Sequence, residues 1–202
     1  MSPPKRATHT TEAMRASLVE HARRLIARDG ASALTMRALA AEAGCAVGLP
    51  YKVFTDRHDL VAEICHAEFK RLADASGELA RRAGTFTVGA NLAWFAEQLL
   101  DSPAVSLAQE VLADQALAKV VTARVHDSGA GPAAFETVFA HYLSAEKRAG
   151  RVAPDIDEKA FGFLLAGAVH NLIMSGDAWP RPTRRLLGQR LAAIASAIAF
   201  KP

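Results

Sequence analysis

The side chains able to do chemistry in this sequence are few and widely spaced. Seven histidines (His9, His21, His58, His66, His126, His141 and His170) show no His-x-x-x-His spacing, and Cys45 and Cys65 form no Cys-x-x-Cys pair. No metal site is therefore expected. Neither a Gly-x-Ser-x-Gly elbow, nor a phosphate-cradling glycine loop, nor a carboxylate pair suited to acid–base work occurs, so neither catalysis nor a cofactor is expected. Two cysteines cannot build a disulfide framework; they fit a reducing, cytoplasmic setting and are expected as small thiols packed like hydrophobes. What the polar residues do offer is a charge asymmetry. The net charge is +3, and residues 1–60 alone hold nine Lys/Arg against six Asp/Glu, leaving the other two thirds neutral. A basic head on a neutral body suits a polyanionic partner such as nucleic acid.

The elements that must carry this head are helical. Alanine fills 43 of 202 positions and aromatics only 6%, a composition of strong helix formers that points to an all-α fold of about nine helices. The longest apolar run, Phe161 to Val169, is too short for a membrane span, and the first residues lack the apolar stretch of a signal peptide. Residues 1–12 read as a mobile arm. From Glu12, apolar residues at helical spacing run to Asp29-Gly30. Thr35 can cap a short helix through Met36, Leu39, Ala40 and Ala43 that Gly44 ends; a second short segment, Cys45 to Phe54, follows at once. Two short helices about a glycine turn make a helix-turn-helix pattern, which lays one helix in the DNA major groove while the other crosses the backbone. Asp56 caps a long helix, and the rest divides into segments of about 85–100, 104–126 (one helix or two), 133–149, from Asp155 or Asp157 to Ser175-Gly176, and from Pro182 to Phe200.

Leu34-Thr35-Met36-Arg37-Ala38-Leu39-Ala40-Ala41-Glu42-Ala43-Gly44 resembles the first half of the TetR-family helix-turn-helix. Gly48, Tyr51 and Phe54 fall where that family has glycine, tyrosine and phenylalanine, and Asp56-Arg57-His58-Asp59-Leu60 is similar to the opening of its fourth helix. Ala22, Leu25, Ile26 and Asp29-Gly30 resemble its first. The resemblance covers residues 13–73, and continues through the chain length, the helix count and a Gly150-to-Asp155 junction. It implies a DNA-binding domain over 13–73 with its motif at 35–54, followed by an effector-binding and dimerisation domain over 74–202. By the same resemblance Thr35, Tyr51, Lys52 and Arg57 would contact phosphates, Arg37 a base edge or phosphate, and Gly48 would sit in the recognition helix. That helix departs from the family pattern at Ala46, Val47, Leu49 and Pro50. With so few hydrogen-bonding side chains, readout would rest on thymine-methyl contacts from Val47 or Leu49. Pro50 would disturb the helix if Ala46 is the N-cap, and cost little if the helix starts one residue later.

In the body, Trp94, Gln98, Phe139, Tyr142 and Asn171 combine aromatic area with polar groups and are the candidate ligand residues. Leu165, Leu187, Leu191, Ile194 and Ile198 form apolar stripes on the last two helices and are the candidate dimer interface. The implied function is a homodimeric transcriptional regulator, most often a repressor in this family, that binds pseudo-palindromic operator DNA and is released by a small apolar effector. The alternatives are a TetR-like activator, and a helical ligand-binding protein or enzyme whose N-terminal hairpin does not bind DNA.

Overall fold

Thr35, Asp56, Thr87, Ser102, Asp157 and Thr183 each cap a helix by accepting a backbone N–H of its first turn, and these six caps punctuate the chain. The computed structural model describes residues 5–126, 134–175 and 181–200, with side chains from Thr11 onward. Ten α-helices follow one another: α1 (Lys5–Asp29), α2 (Met36–Glu42), α3 (Gly48–Val53), α4 (Arg57–Arg81), α5 (Val88–Leu100), α6 (Pro103–Ala113), α7 (Gln115–His126), α8 (Ala134–Arg148), α9 (Glu158–Met174) and α10 (Arg184–Ala197). A 3-10 turn at Ala31–Ala33 links α1 to α2, and an isolated antiparallel bridge joins Val152 to Ala199. No strand forms among the described residues.

Several boundaries differ from the sequence reading for identifiable reasons. Helix α1 starts at Lys5, so residues 5–12 are its first turns instead of an arm. The helix expected from Thr85 starts at Val88, because Gly84 (φ 81°) and Phe86 (φ 49°) hold left-handed backbone that no helix accommodates. The stretch 104–126 is two helices, since Asp114 accepts the N–H groups of Ala116 and Leu117 and starts a new one. Cys45 to Val47 precede α3, which has only six residues.

Two apolar cores result, strung along α4. One joins Leu18, Leu25 and Ile26 of α1, Leu39 of α2 and Leu60 and Ile64 of α4 to Leu107 of α6 and Leu117 and Val121 of α7. The other joins the distal half of α4 to α5, α8, α9 and α10 through Leu79, Leu92, Phe95, Phe139, Leu165 and Leu191. In this second core α8 and α9 pack closely at Gly162, where a Cβ would lie 2.6 Å from the Glu136 carbonyl oxygen. Thus α6 and α7 belong structurally to the N-terminal head, although they follow α5 in sequence.

Candidate nucleic-acid interface and the cavity behind it

The turn between α2 and α3 is compact because Gly44 takes φ 62°, a conformation that side chains with a Cβ rarely adopt. Leu39, Ala40 and Phe54 anchor the unit in the head's core, each at most 1% exposed. Helix α3 begins at Gly48, which puts Pro50 at its third position. There the missing N–H is one the first turn leaves without an intrahelical partner, and proline's fixed φ suits the helix. Pro50 is buried, so it also secures α3 to the domain.

Outward from this unit point most of the residues singled out for DNA contact. Thr35 is exposed while its hydroxyl accepts the Ala38 N–H at 3.0 Å, leaving its own proton free to donate. Arg37, Lys52 and Tyr51 are exposed, with no partner among the described residues; the Tyr51 ring is 60% exposed. Val47 and Gly48 are exposed at the start of α3, whereas Leu49 is half-buried. One candidate is placed differently. Arg57 faces inward: it donates to the Leu34 carbonyl (3.0 Å) and grips both oxygens of Glu110 on α6. A guanidinium whose donors are committed in a two-pronged grip on a carboxylate is not presented to phosphate.

Sequence reasoning missed Arg15. It donates to the Val53 carbonyl at the end of α3 (2.8 Å), lies over the Phe54 ring at 4.6 Å, and pairs with Asp59 (3.0 Å) and Glu63 (2.8 Å) of α4. Arg124 of α7 reaches the same two carboxylates at 2.8 and 3.0 Å. Burial works against the charge of Asp59, yet hydrogen bonds from Arg15, the Thr55 N–H and Arg124 together hold its pKa below the usual carboxylate range. No local pattern marks this cluster, because its members lie on three helices and Asp59 is 44 residues from Arg15 and 65 from Arg124.

Behind the interface, at the seam of the two cores, lies a cavity of about 580 Å³. Six helices wall it, among them α4 with Phe69, α6 with Val105, α7 with Val121, α8 with Phe135 and α9 with Val169. None of the five candidate ligand residues lines it. Trp94 lies beneath the Arg82 guanidinium at 4.1 Å, and Gln98 is exposed. Phe139 packs edge-on against Phe95 in the bundle core, and Tyr142 donates to buried Glu146 at 2.6 Å. Asn171 is exposed and accepts from Ser175. Their neighbours Phe135 and His170 take the place expected for them. Cys65 also lines the cavity; burial first, and Glu68 nearby, push its thiol up to about 12, so it stays protonated and serves as apolar wall.

The candidate dimer residues are likewise relocated. Leu165, Leu187, Leu191 and Ile198 are at most 7% exposed, and Ile194 packs against the same core, so this stripe faces its own bundle. The outward faces carry Phe163 (63% exposed) and Leu164 (60%) on α9 and Leu186 (37%) on α10. Among the described residues no cluster of three metal-ligating side chains occurs, and no helix is long and apolar enough to cross a membrane.

Residues 18–64 match the family model of bacterial regulatory proteins, tetR family. The match spans the second half of α1 through the first turns of α4, the stretch that builds the outward face just described. The fold of the whole chain recurs in solved structures. A TetR transcription regulator from Haloarcula marismortui superposes with a TM-score of 0.63 at 15% identity, over 94% of this chain and 100% of that one. A protein from Saccharomonospora viridis, described as a transcriptional regulator and solved in complex with choline, gives 0.67 at 18% over 94% and 100%. A TetR transcriptional regulator from Streptomyces coelicolor gives 0.57 at 21% over 93% and 99%. No curated protein sequence matches the chain. Residues 18–64 thus match the tetR family of bacterial regulatory proteins, and the chain shares the all-helical fold of these solved regulators.

Proposed function

We propose that the protein is a homodimeric transcriptional repressor that docks α3 in the major groove of a pseudo-palindromic operator and leaves it when a small apolar molecule fills the cavity. The observation that carries the reading is the contrast within one domain: Thr35, Arg37, Tyr51 and Lys52 stay exposed, while the neighbouring Arg57 is tied to α6. Thr35 and Tyr51 supply neutral donors to phosphates, Lys52 a charge, and Arg37 reaches a base edge or phosphate from α2. Val47 offers the recognition helix an apolar contact for thymine methyls.

Two copies meet through the outer faces of α9 and α10, where Phe163, Leu164 and Leu186 leave apolar surface uncovered in the single chain. Such a face pairs with itself in a two-fold dimer and spaces two recognition helices for half-sites about one helical turn apart, or a multiple of it. Leu164→Asp is expected to give folded monomers by light scattering; an intact dimer would move the interface elsewhere. The cavity touches α6 and α7, which are packed in the head's core, so its occupancy can shift the head relative to the bundle.

The Saccharomonospora viridis relative was solved with choline, a cation. This chain's cavity presents no carboxylate among its described lining residues, and its phenylalanines there are Phe69 and Phe135, stacked at 6.3 Å. That wall suits an apolar molecule. Selecting genomic fragments on the immobilised protein, then testing the winners by gel shift, checks the reading directly. Retention of a palindromic fragment supports it; no preference over random duplex would overturn it.

A further inference from the structure

We propose that the cavity selects an uncharged, mainly apolar molecule that brings a hydrogen-bond donor, an alcohol in the simplest case, to Ser102. This rests on reading the cavity as the effector site. Among the described lining residues, Cys65 and Ser102 are the buried side chains that carry a heteroatom, whereas Thr122, His126 and His170 are exposed and stand at the mouth. Among its described lining residues the interior therefore holds one buried hydroxyl and no full charge. The nearest buried charge, Glu68, is only 3% exposed and already answered by Arg23 of α1 and by Ser102. A carboxylate or ammonium group drawn inside would lose its hydration with no opposite charge to replace it.

The state of Ser102 decides which neutral groups fit. Its one O–H is spent on Glu68 Oε2 at 3.0 Å, and one lone pair accepts the Ala104 N–H at 3.3 Å as the N-cap of α6. What remains is a lone pair, so Ser102 can accept and not donate. A hydroxyl or N–H satisfies it. A ketone, ester or ether could bond only if Ser102 released Glu68, stripping a buried carboxylate of a donor. The ligand's polar end then sits one hydrogen bond from the Glu68–Arg23 pair that ties α4 to α1.

The test uses the full-length protein loaded with a neutral solvatochromic dye, displaced by 1-decanol, 2-decanone, decane and decanoate at neutral pH. The expected order places 1-decanol roughly tenfold ahead of 2-decanone, the worth of one neutral hydrogen bond at its upper end, with decanoate weakest. Ser102→Ala should bring 1-decanol to the level of 2-decanone while decane is unchanged, and Ala108→Phe, which fills the cavity, should abolish displacement by all four. Equal binding of alcohol and ketone, tighter binding of decanoate, or an alcohol preference that survives Ser102→Ala overturns the proposal and leaves the cavity reading standing. If no probe displaces the dye, or Ala108→Phe changes nothing, the cavity reading fails with it. Should Ser102→Ala not fold for want of its helix cap, the alcohol-to-ketone ratio of the unaltered protein decides.

Discussion

On the front of the N-terminal domain, Arg37, Tyr51 and Lys52 project into solvent without a partner among the described residues; on its back, Arg15, Arg57, Asp59, Glu63 and Glu68 are all paired. The same basic excess in the sequence therefore serves two purposes. Front charges keep their hydrogen-bonding capacity for an external polyanion. Back charges join α4 to α6 and α7, through Arg57 with Glu110 and Arg124 with Asp59 and Glu63, and the His58 ring lies 3.2 Å from Asp114. The lesson is that charge counted along a chain does not identify a binding surface until the paired groups are subtracted.

The largest expected effect comes from breaking the back. Asp59→Ala leaves Arg15 and Arg124 facing each other in a partly buried site with only Glu63 between them, and should cost about 2–4 kcal/mol of stability in urea unfolding. A loss within experimental error would mean that the cluster is surface decoration. Acid sharpens the same point. The pKa of Asp59 is lower folded than unfolded, so its contribution is complete above the unfolded value near about 4 and disappears as pH falls through the folded value. Below about pH 4 the native protein should lose stability more steeply than Asp59→Ala does; parallel curves would contradict this assignment.

Arg57→Ala should have a smaller effect, about 1–2 kcal/mol, because the pair with Glu110 is about one third exposed on each side. Glu110→Ala should cost a similar amount, and the double variant less than the sum. Additive losses would mean that the two do not interact in solution.

How much of this the sequence disclosed differs between the same regions. The front is local: Thr35, Gly44, Gly48, Tyr51 and Phe54 lie within twenty residues, and capping and turn chemistry identify them without tertiary information. The inward turn of Arg57 was hidden because its partner Glu110 lies 53 residues away. In the body, helical spacing correctly grouped Leu187, Leu191 and Ile198 on one face, but a stripe facing a bundle core and a stripe facing a second copy look alike in sequence. The candidate ligand residues lie away from the cavity for a related reason. Aromatic and polar side chains were the natural markers of a cavity, yet Trp94 is covered by Arg82, and Tyr142 belongs to the buried Glu146 pair. The lining that does occur is mostly aliphatic, such as Val105, Val121 and Val169, and aliphatic residues at helical spacing carry no mark that separates wall from core.

If front charges meet DNA and back charges do not, the salt dependence of binding to one selected duplex must follow the front charges alone. Each Lys52 counts twice in a two-fold dimer and each phosphate contact contributes about 0.9 to the slope of log K against log salt, so Lys52→Ala should flatten the slope by about two. It should leave stability within about 0.5 kcal/mol, as an exposed, unpaired side chain would. Arg57→Ala should leave the slope unchanged despite its stability cost. If Arg57→Ala flattens the slope and Lys52→Ala does not, the assignment of front and back is wrong.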